Sequence, residues 1–351
     1  MNSRSLSAHD RRTAASALGR RAFLGAAGIT TAGLLGGWRA ARAMDKPQPA
    51  QPTALDFTNP GVYRFRVGDI DAFCISDGFG GAPDPTSLML PADQHPRMIE
   101  ALEDAYQSTA TFPFNFNVLV ARFGGEIVLF DAGNGADGMG TSGMLAARLA
   151  TIGITPGDVT AVFLSHAHPD HIGGLVAEGE PAFPNATVIA SNAELDFWTS
   201  EAPDLSGSPL PAEMKQGMVA GARKVVEILG DRIERIDPGS RMLGAITPQA
   251  AYGHTPGHLT YRLDSAGESL YHIVDLAHNH VLMFADPAWA IAFDTDRRMA
   301  VATRKRIFAE LAAGRTRVFG YHLPFPALGY IDARDGGYAW IPENWQWQPA
   351  A

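Results

Sequence analysis

The stretch Ser165-His166-Ala167-His168-Pro169-Asp170-His171-Ile172-Gly173-Gly174 constrains this chain more than any other. Three imidazoles and a carboxylate fall within six residues, directly after the apolar run Val159 to Leu164. That run reads as a buried strand, and the glycine pair followed by apolar residues reads as a turn into a helix. His166 and His168 are two apart, so a helix could not present them on one face. A loop leaving a strand end can aim them together, and Asp170 with His171 then addresses a second point nearby. Imidazole plus carboxylate is a ligand set for zinc or another first-row divalent ion. Four ligand-type side chains with this split call for two metal ions.

Bulk properties narrow the remaining choices. The chain has 351 residues with 46% hydrophobic content, enough for a large core in one domain or two. Residues 1–43 hold seven arginines and one aspartate, which leaves 21 basic against 36 acidic residues, or −15, in the remainder. Such a body repels phosphate backbones, so no nucleic-acid partner is expected. Cys74 is the single cysteine, which excludes an intrachain disulfide. It stands in the run Ala72-Phe73-Cys74-Ile75 and reads as a small buried hydrophobe. At the N-terminus, Arg20-Arg21 precedes a mildly apolar stretch from Ala22 to Gly37, and Ala41-Arg42-Ala43 offers a cleavage site. This is similar to a twin-arginine (Tat) signal over residues 1–43. It predicts a periplasmic or secreted protein with no stable membrane insertion after processing. Residues 44–60, rich in Pro and Gln, read as a linker.

Along residues 61–348 strands and helices interleave. Asn117 to Phe123 and Glu126 to Phe130 flank Gly124-Gly125 and end in Asp131-Ala132-Gly133. Later, His258 to Leu263 and Ser269 to Val274 flank a turn and end in Asp275-Leu276-Ala277. Each half thus presents an aspartate at the C-terminal end of a strand, where open α/β layers place their sites. Helical spacing marks Gly143 to Ile152, Ala193 to Trp198 behind an Asn192 cap, Pro211 to Leu229, and Arg298 to Ala313. Gly78 to Pro91 reads as irregular, a surface loop or a flap. Phe112, Phe114 and Phe116 precede a strand and serve the core or a pocket wall. Two sheets covered outside by helices, an α/β fold with four-layer αββα sandwich order, is the architecture expected.

The histidine loop resembles the H-x-H-x-D-H signature of the metallo-β-lactamase superfamily. From about Pro60 to Trp345 the order of landmarks is similar to the branch containing methyl parathion hydrolase and related lactonases. Besides the loop these are Tyr63-Arg64, Ser76-Asp77-Gly78, Asp131-Ala132-Gly133, Phe183-Pro184-Asn185-Ala186, Phe197-Trp198, Gly253-His254-Thr255-Pro256-Gly257-His258, Asp275 and His322-Leu323-Pro324-Phe325-Pro326. The resemblance implies the metallo-β-lactamase fold and a ligand set: His166, His168 and His254 on one metal, Asp170, His171 and His322 on the other, Asp275 shared. Zinc is the first candidate for both ions. His258 then supports its loop from outside the ligand set, and Asp131 orients a ligand, a role such centres need. His272, alternating with apolar neighbours in a strand, reads as structural.

The reaction implied is hydrolysis of lactones or esters of small-molecule substrates by a hydroxide shared between the ions. Asp170, Asp275 and His278 are its catalytic candidates. His278 stands three residues past Asp275, where lactonases of the superfamily carry a tyrosine, and it could donate to a carbonyl oxygen or protonate a leaving alkoxide. Trp198, Met139 and Phe114 are candidates for the substrate pocket. Trp198 matches a phosphotriesterase pocket aromatic, but other expected aromatics are replaced, which places phosphotriesterase activity second. Competing readings are a non-catalytic exported metal-binding or sensing protein and a redox di-iron centre. β-Lactam hydrolysis is disfavoured, since Cys74 is far from every motif. The assembly is left open between monomer and homodimer.

Overall fold

Period-two alternation in the strands decides the layers. The computed structural model describes residues 59–346 apart from Asp137 and Met139. The arginine pair, most of the 44–60 linker and Met139 therefore lie outside the described residues. Seven strands form the first sheet in chain order: β1 (Val62–Val67), β2 (Ile70–Ala82), β3 (Phe112–Phe123), β4 (Glu126–Phe130), β5 (Ala161–Phe163), β6 (Thr187–Ser191) and β7 (Ile233–Ile236). Pairing is antiparallel from β1 to β4 and parallel from β4 to β7. Six strands form the second: β8 (Ile246–Ala250), β9 (Leu259–Ser265), β10 (Glu268–His272), β11 (Arg317–Phe319), β12 (Leu328–Arg334) and β13 (Gly337–Pro342). Only β10 and β11 pair in parallel in this second sheet.

Side chains on successive residues leave a strand on opposite faces. Leu119 and Ala121 of β3, Val128 and Phe130 of β4 and Phe163 of β5 join one core with Tyr261, Leu263 and Phe319 of the second sheet. The rings of Phe130 and Tyr261 meet edge to face at 5.0 Å across the sandwich. The helices in chain order are α1 (His95–Asp104), α2 (Leu145–Thr151), α3 (Pro169–Ile172), α4 (Asn192–Thr199), α5 (Ala212–Leu229), α6 (Leu282–Ala285) and α7 (Arg297–Gly314). The alternate residues Val118, Val120, Leu129 and Val162 join a second core with Leu145 and Leu149 of α2. Leu195 and Trp198 of α4 (Asn192–Thr199) and Met218 and Ala222 of α5 (Ala212–Leu229) complete that layer. On the far side Ile307, Phe308 and Leu311 of α7 (Arg297–Gly314) pack with Leu328 and Ile331 of β12. The expected αββα order is therefore observed. Cys74 is fully buried. Among the described residues no helix is long and apolar enough to cross a membrane.

Three local readings are corrected. The segment after Gly78 continues β2 to Ala82, paired with Phe112 to Phe116, which are themselves part of β3. Ladder pairing needs only backbone, and Gly78-Phe79-Gly80-Gly81 carries no apolar alternation to reveal it. The register slips between Ser76 and Gly78, a bulge that buries the Asp77 carboxylate. Asp77 then accepts hydrogen bonds from Asn134 N (2.8 Å), Gly143 N (3.1 Å) and Leu145 N (2.9 Å). Lastly, the cap of α4 is Ser191, whose hydroxyl accepts from Glu194 N, with Asn192 already helical.

Candidate metal centre

Both sheets send ligand-type side chains to one end of the sandwich. The loop after β5 carries His166 and His168 and turns into the short helix α3 (Pro169–Ile172), which carries Asp170 and His171. From the second sheet come His254 after β8, Asp275 after β10 and His322 after β11. Gly253, at φ +126°, holds the His254 loop against α7, where a Cβ would fall 2.1 Å from Ala300 N. All seven expected residues meet. Ligand atoms of His166, His168, His254 and Asp275 lie within 4.8 Å of one another, as do those of Asp170, His171 and His322.

In the first group His168 points its Nδ1 inward, 3.0 Å from His166 Nε2 and 2.9 Å from His254 Nε2. Asp275 stands between the groups. Its Oδ2 lies 3.2 Å from His254 Nε2 and 3.3 Å from His322 Nε2, and its Oδ1 3.2 Å from His171 Nε2. Asp170 Oδ2 is 3.4 Å from His171 Nε2 and 3.6 Å from His322 Nε2.

The outward nitrogens of His171, His254 and His322 are held, which fixes ring orientation and tautomer. His171 Nδ1 donates to Asp131 Oδ2 (2.8 Å), which also accepts from the Ser165 hydroxyl (2.8 Å). His254 Nδ1 donates to Asp294 Oδ1 (2.8 Å), and His322 Nδ1 to the Asn115 carbonyl (2.9 Å). Inward, the buried His171 Nε2 and Asp275 Oδ1 find no hydrogen-bond partner. Buried polar atoms left bare are costly. Tetrahedral zinc with Zn–N bonds of about 2.0–2.1 Å sets its ligand atoms roughly 3.3 Å apart. Three converging imidazole nitrogens at this spacing, with a carboxylate beside them, fit a pair of divalent ions.

Charge balance supports that fit. Burial, reinforced by His171, lowers His166 far below the usual histidine range, and burial with His254 does the same to His168. Burial also acts to lower His254, but hydrogen bonds to Asp275 and Asp294 outweigh it and raise the group to about 9. Without metal, His254 therefore holds a proton below about pH 9 that a metal ion must displace. Metal uptake at pH 7 should release protons, and apparent affinity should fall as pH falls. Calorimetric titration in buffers of different ionisation enthalpy checks this. Uptake without proton release, at a pH-independent affinity, would contradict it.

A cavity of about 450 Å³ opens beside the cluster, lined by Asp170, Phe114, Phe116, Phe293, Met218 and the rest of the inner face of α5. Phe114, Pro169, Asp170 and Phe293 also line the small space over the ligands, which Asp275, His278 and His322 share. Phe114 thus lines both spaces. Trp198 does not. It is fully buried behind the cluster, its indole donating to Glu194 Oε1 (2.6 Å) and its ring 5.7 Å from that of His168. Packing of α4 on the first sheet takes this aromatic into the core. His258 is buried 5.2 Å from the His166 ring, and its Nδ1 donates to Ala251 O (3.0 Å), which braces its loop. Its acceptor there is a carbonyl, so Nδ1 carries the proton. His272 contacts Phe319 O (3.2 Å) inside the sandwich.

His278 comes to the cluster: Nε2 lies 3.0 Å from Asp275 Oδ2, and its ring stacks on His322 at 4.8 Å. Burial, the largest influence, lowers it to about 4 despite Asp275. It is therefore neutral at pH 7, with a ring N–H to donate.

Three buried groups escape sequence reasoning. Glu194 Oε1 accepts from Ala167 N (2.8 Å) and the Trp198 indole, while Oε2 accepts from Thr255 Oγ1 (2.6 Å) and Gly257 N (3.0 Å). One carboxylate thereby ties the His166–His168 turn to the His254 loop. Ser191-Asn192-Ala193-Glu194 looks like a capping box and hides this. Asp294 orients His254. Arg304 of α7, fully buried, donates to the carbonyls of Leu276, Pro287 and Trp289 and so pins the loop after Asp275. No motif announces either residue.

Comparison with known proteins agrees with this geometry. The metallo-beta-lactamase superfamily profile matches residues 112–313. No curated protein sequence matches the chain. Among solved structures, AidC, a dizinc quorum-quenching lactonase in complex with a product, is 30% identical with a TM-score of 0.78. The hydrolase AbOPH of the beta lactamase superfamily is 30% identical with a TM-score of 0.74. Each alignment covers 82% of this chain and 98% of the other. A probable metal-dependent hydrolase from Staphylococcus aureus, 17% identical over 80% of this chain and 99% of its own with a TM-score of 0.63, shares the fold. With the profile spanning more than half of its length and two relatives aligned almost end to end, this chain belongs to the metallo-β-lactamase superfamily and has the framework of a metal-dependent hydrolase.

Proposed function

We propose that this protein opens lactones bearing an acyl side chain, N-acyl homoserine lactones among them, with simple esters as secondary substrates. The observation that carries this reading is the apolar cavity running directly into the ligand cluster through Phe114 and Phe293. It suits a substrate with a polar ring at one end and a hydrocarbon tail at the other. AidC, the 30% identical lactonase, was solved with an acyl-homoserine product, which supports the same class.

His166, His168 and His254 would hold one zinc ion, Asp170, His171 and His322 the other, with Asp275 between them. When bound, such a pair acidifies water towards neutrality and polarises a carbonyl oxygen. The chain's own side chains do the rest. Phe114 and Phe293 place the lactone over the cluster and exclude water from its tail. His278 offers its Nε2 proton to Asp275 Oδ2 or to the substrate's carbonyl oxygen. Asp170, partly open to the cavity, is positioned to take and pass on a proton.

A panel of N-hexanoyl homoserine lactone, an aryl ester and a phosphotriester, followed by pH-stat, tests the reading. The lactone should be preferred by at least about tenfold in kcat/KM, a difference of about 1.4 kcal/mol in transition-state binding. Equal phosphotriester turnover would refute the lactone preference, faster turnover would reverse it, and no turnover at all would favour a metal-binding or sensing role. The phosphotriester stands second on one observation, the edge-to-face pair Phe114–Phe293 at 6.3 Å, which could hold an aryl group. In the same assay His278→Phe should lower kcat on lactones by about 10–100-fold with metal content intact, as for loss of a hydrogen bond to a charged group. Unchanged kcat would remove His278 from the reaction. Export by the N-terminal arginine pair is part of the proposal: Arg20→Lys with Arg21→Lys should leave the protein in the cytoplasmic fraction, and unchanged export would refute it.

A further inference from the structure

One wall of the cavity beside the cluster is helix α5, and that wall contains a glycine for which the fold gives no reason. Gly221 lines the cavity. A Cβ at this position would meet no atom within 4 Å, so no close approach demands its absence. Its backbone lies within regular helix and has no positive φ. Among residues other than proline, glycine is the least favourable in a helix interior. What Gly221 supplies is room, between Met218 and Val225 on its own helix and Phe114 and Phe293 elsewhere on the wall.

We infer that Gly221 sets the length of acyl chain this site accepts. The chain lies along α5, over the bare backbone of Gly221, while its reactive end sits among the metal ligands. A larger side chain at 221 projects into that path and cuts off the distal part of the tail. Gly217, one turn earlier, provides an internal control: a Cβ there also meets nothing within 4 Å, yet the residue does not line the cavity. The inference deepens the lactonase reading and rests on it for the identity of the reactive end.

The test uses the metal-loaded protein and non-hydrolysable amides of increasing length, butanamide to decanamide, with dissociation constants from calorimetry. In the unaltered protein each added methylene that enters the cavity should tighten binding by up to about fourfold. Gly221→Leu should stop that gain at a shorter chain and weaken decanamide by at least about tenfold relative to butanamide, while Gly217→Leu keeps the original series. Val225→Trp, one turn further on the lining face, is a second blocking variant should Gly221→Leu fold poorly. A flat series in the unaltered protein overturns the inference, as does an identical series in both blocking variants. A retained amide series without lactone turnover would instead refute the lactonase reading and leave the chain site standing.

Discussion

Asp275→Ala is expected to remove bound metal and hydrolysis together. Asp275 is the one carboxylate within 3.3 Å of imidazole nitrogens from both groups, His254 and His322 on Oδ2 and His171 on Oδ1. Five buried imidazoles would then face one another with Asp170 as their remaining ligand carboxylate. The loss in kcat/KM should exceed the roughly 10²–10³-fold that removal of a single oxyanion donor costs, because both ions depend on the same side chain. Elemental analysis and lactone kinetics on the same preparation check it. Wild-type turnover with two metals still bound would show that Asp275 does not bridge.

Glu194→Ala should have the second-largest effect, on stability and metal affinity rather than on chemistry. The substitution leaves two backbone N–H groups, an indole and a hydroxyl without their acceptor in a fully enclosed space. Buried donors left without an acceptor cost about 1–3 kcal/mol each, so after partial relaxation the four together cost about 3–5 kcal/mol. At about 2–4 °C per kcal/mol for a domain of this size, that corresponds to a fall in Tm of about 10 °C. Burial, the largest influence, leaves the Glu194 pKa raised although its four donors oppose it, so the carboxylate is a costly feature kept in place by its partners. Metal affinity should fall about 10–100-fold, as for other groups that orient ligands from behind. Thermal melts of the metal-free protein separate the two effects. Unchanged affinity in a folded Glu194→Ala protein would mean the His166–His168 turn and the His254 loop hold their geometry without it.

The layers and the centre were legible in the sequence to different depths. The histidine loop speaks for itself, since four ligand-type residues at a strand end have few other uses. His254, Asp275 and His322 stand far apart in the chain and needed the family resemblance to be joined to it; the fold then brings them within reach. Asp131 was legible as a strand-end carboxylate, and it lies in hydrogen-bond contact with His171 Nδ1. Glu194 and Asp294 were not, because one carboxylate on a helix or loop carries no pattern that separates a ligand-orienting group from a cap or a solvated charge. Trp198 misled for a related reason. Whether an aromatic on α4 faces the cavity or the core depends on how the helix sits on the sheet, which local spacing does not encode. The extension of β2 through Gly78-Phe79-Gly80-Gly81 was equally hidden, as strand pairing there relies on backbone alone.

The origin of the ligands has a consequence for how this protein survives. Four come from a loop of the first sheet and three from loops of the second, so a bound pair of cations would act as a rivet through the two slabs at one rim. Prising the slabs apart would scatter the coordinating atoms, and loss of the cations would leave the imidazoles abutting with nothing between them. Ion retention and mechanical closure of the sandwich would then be a single event.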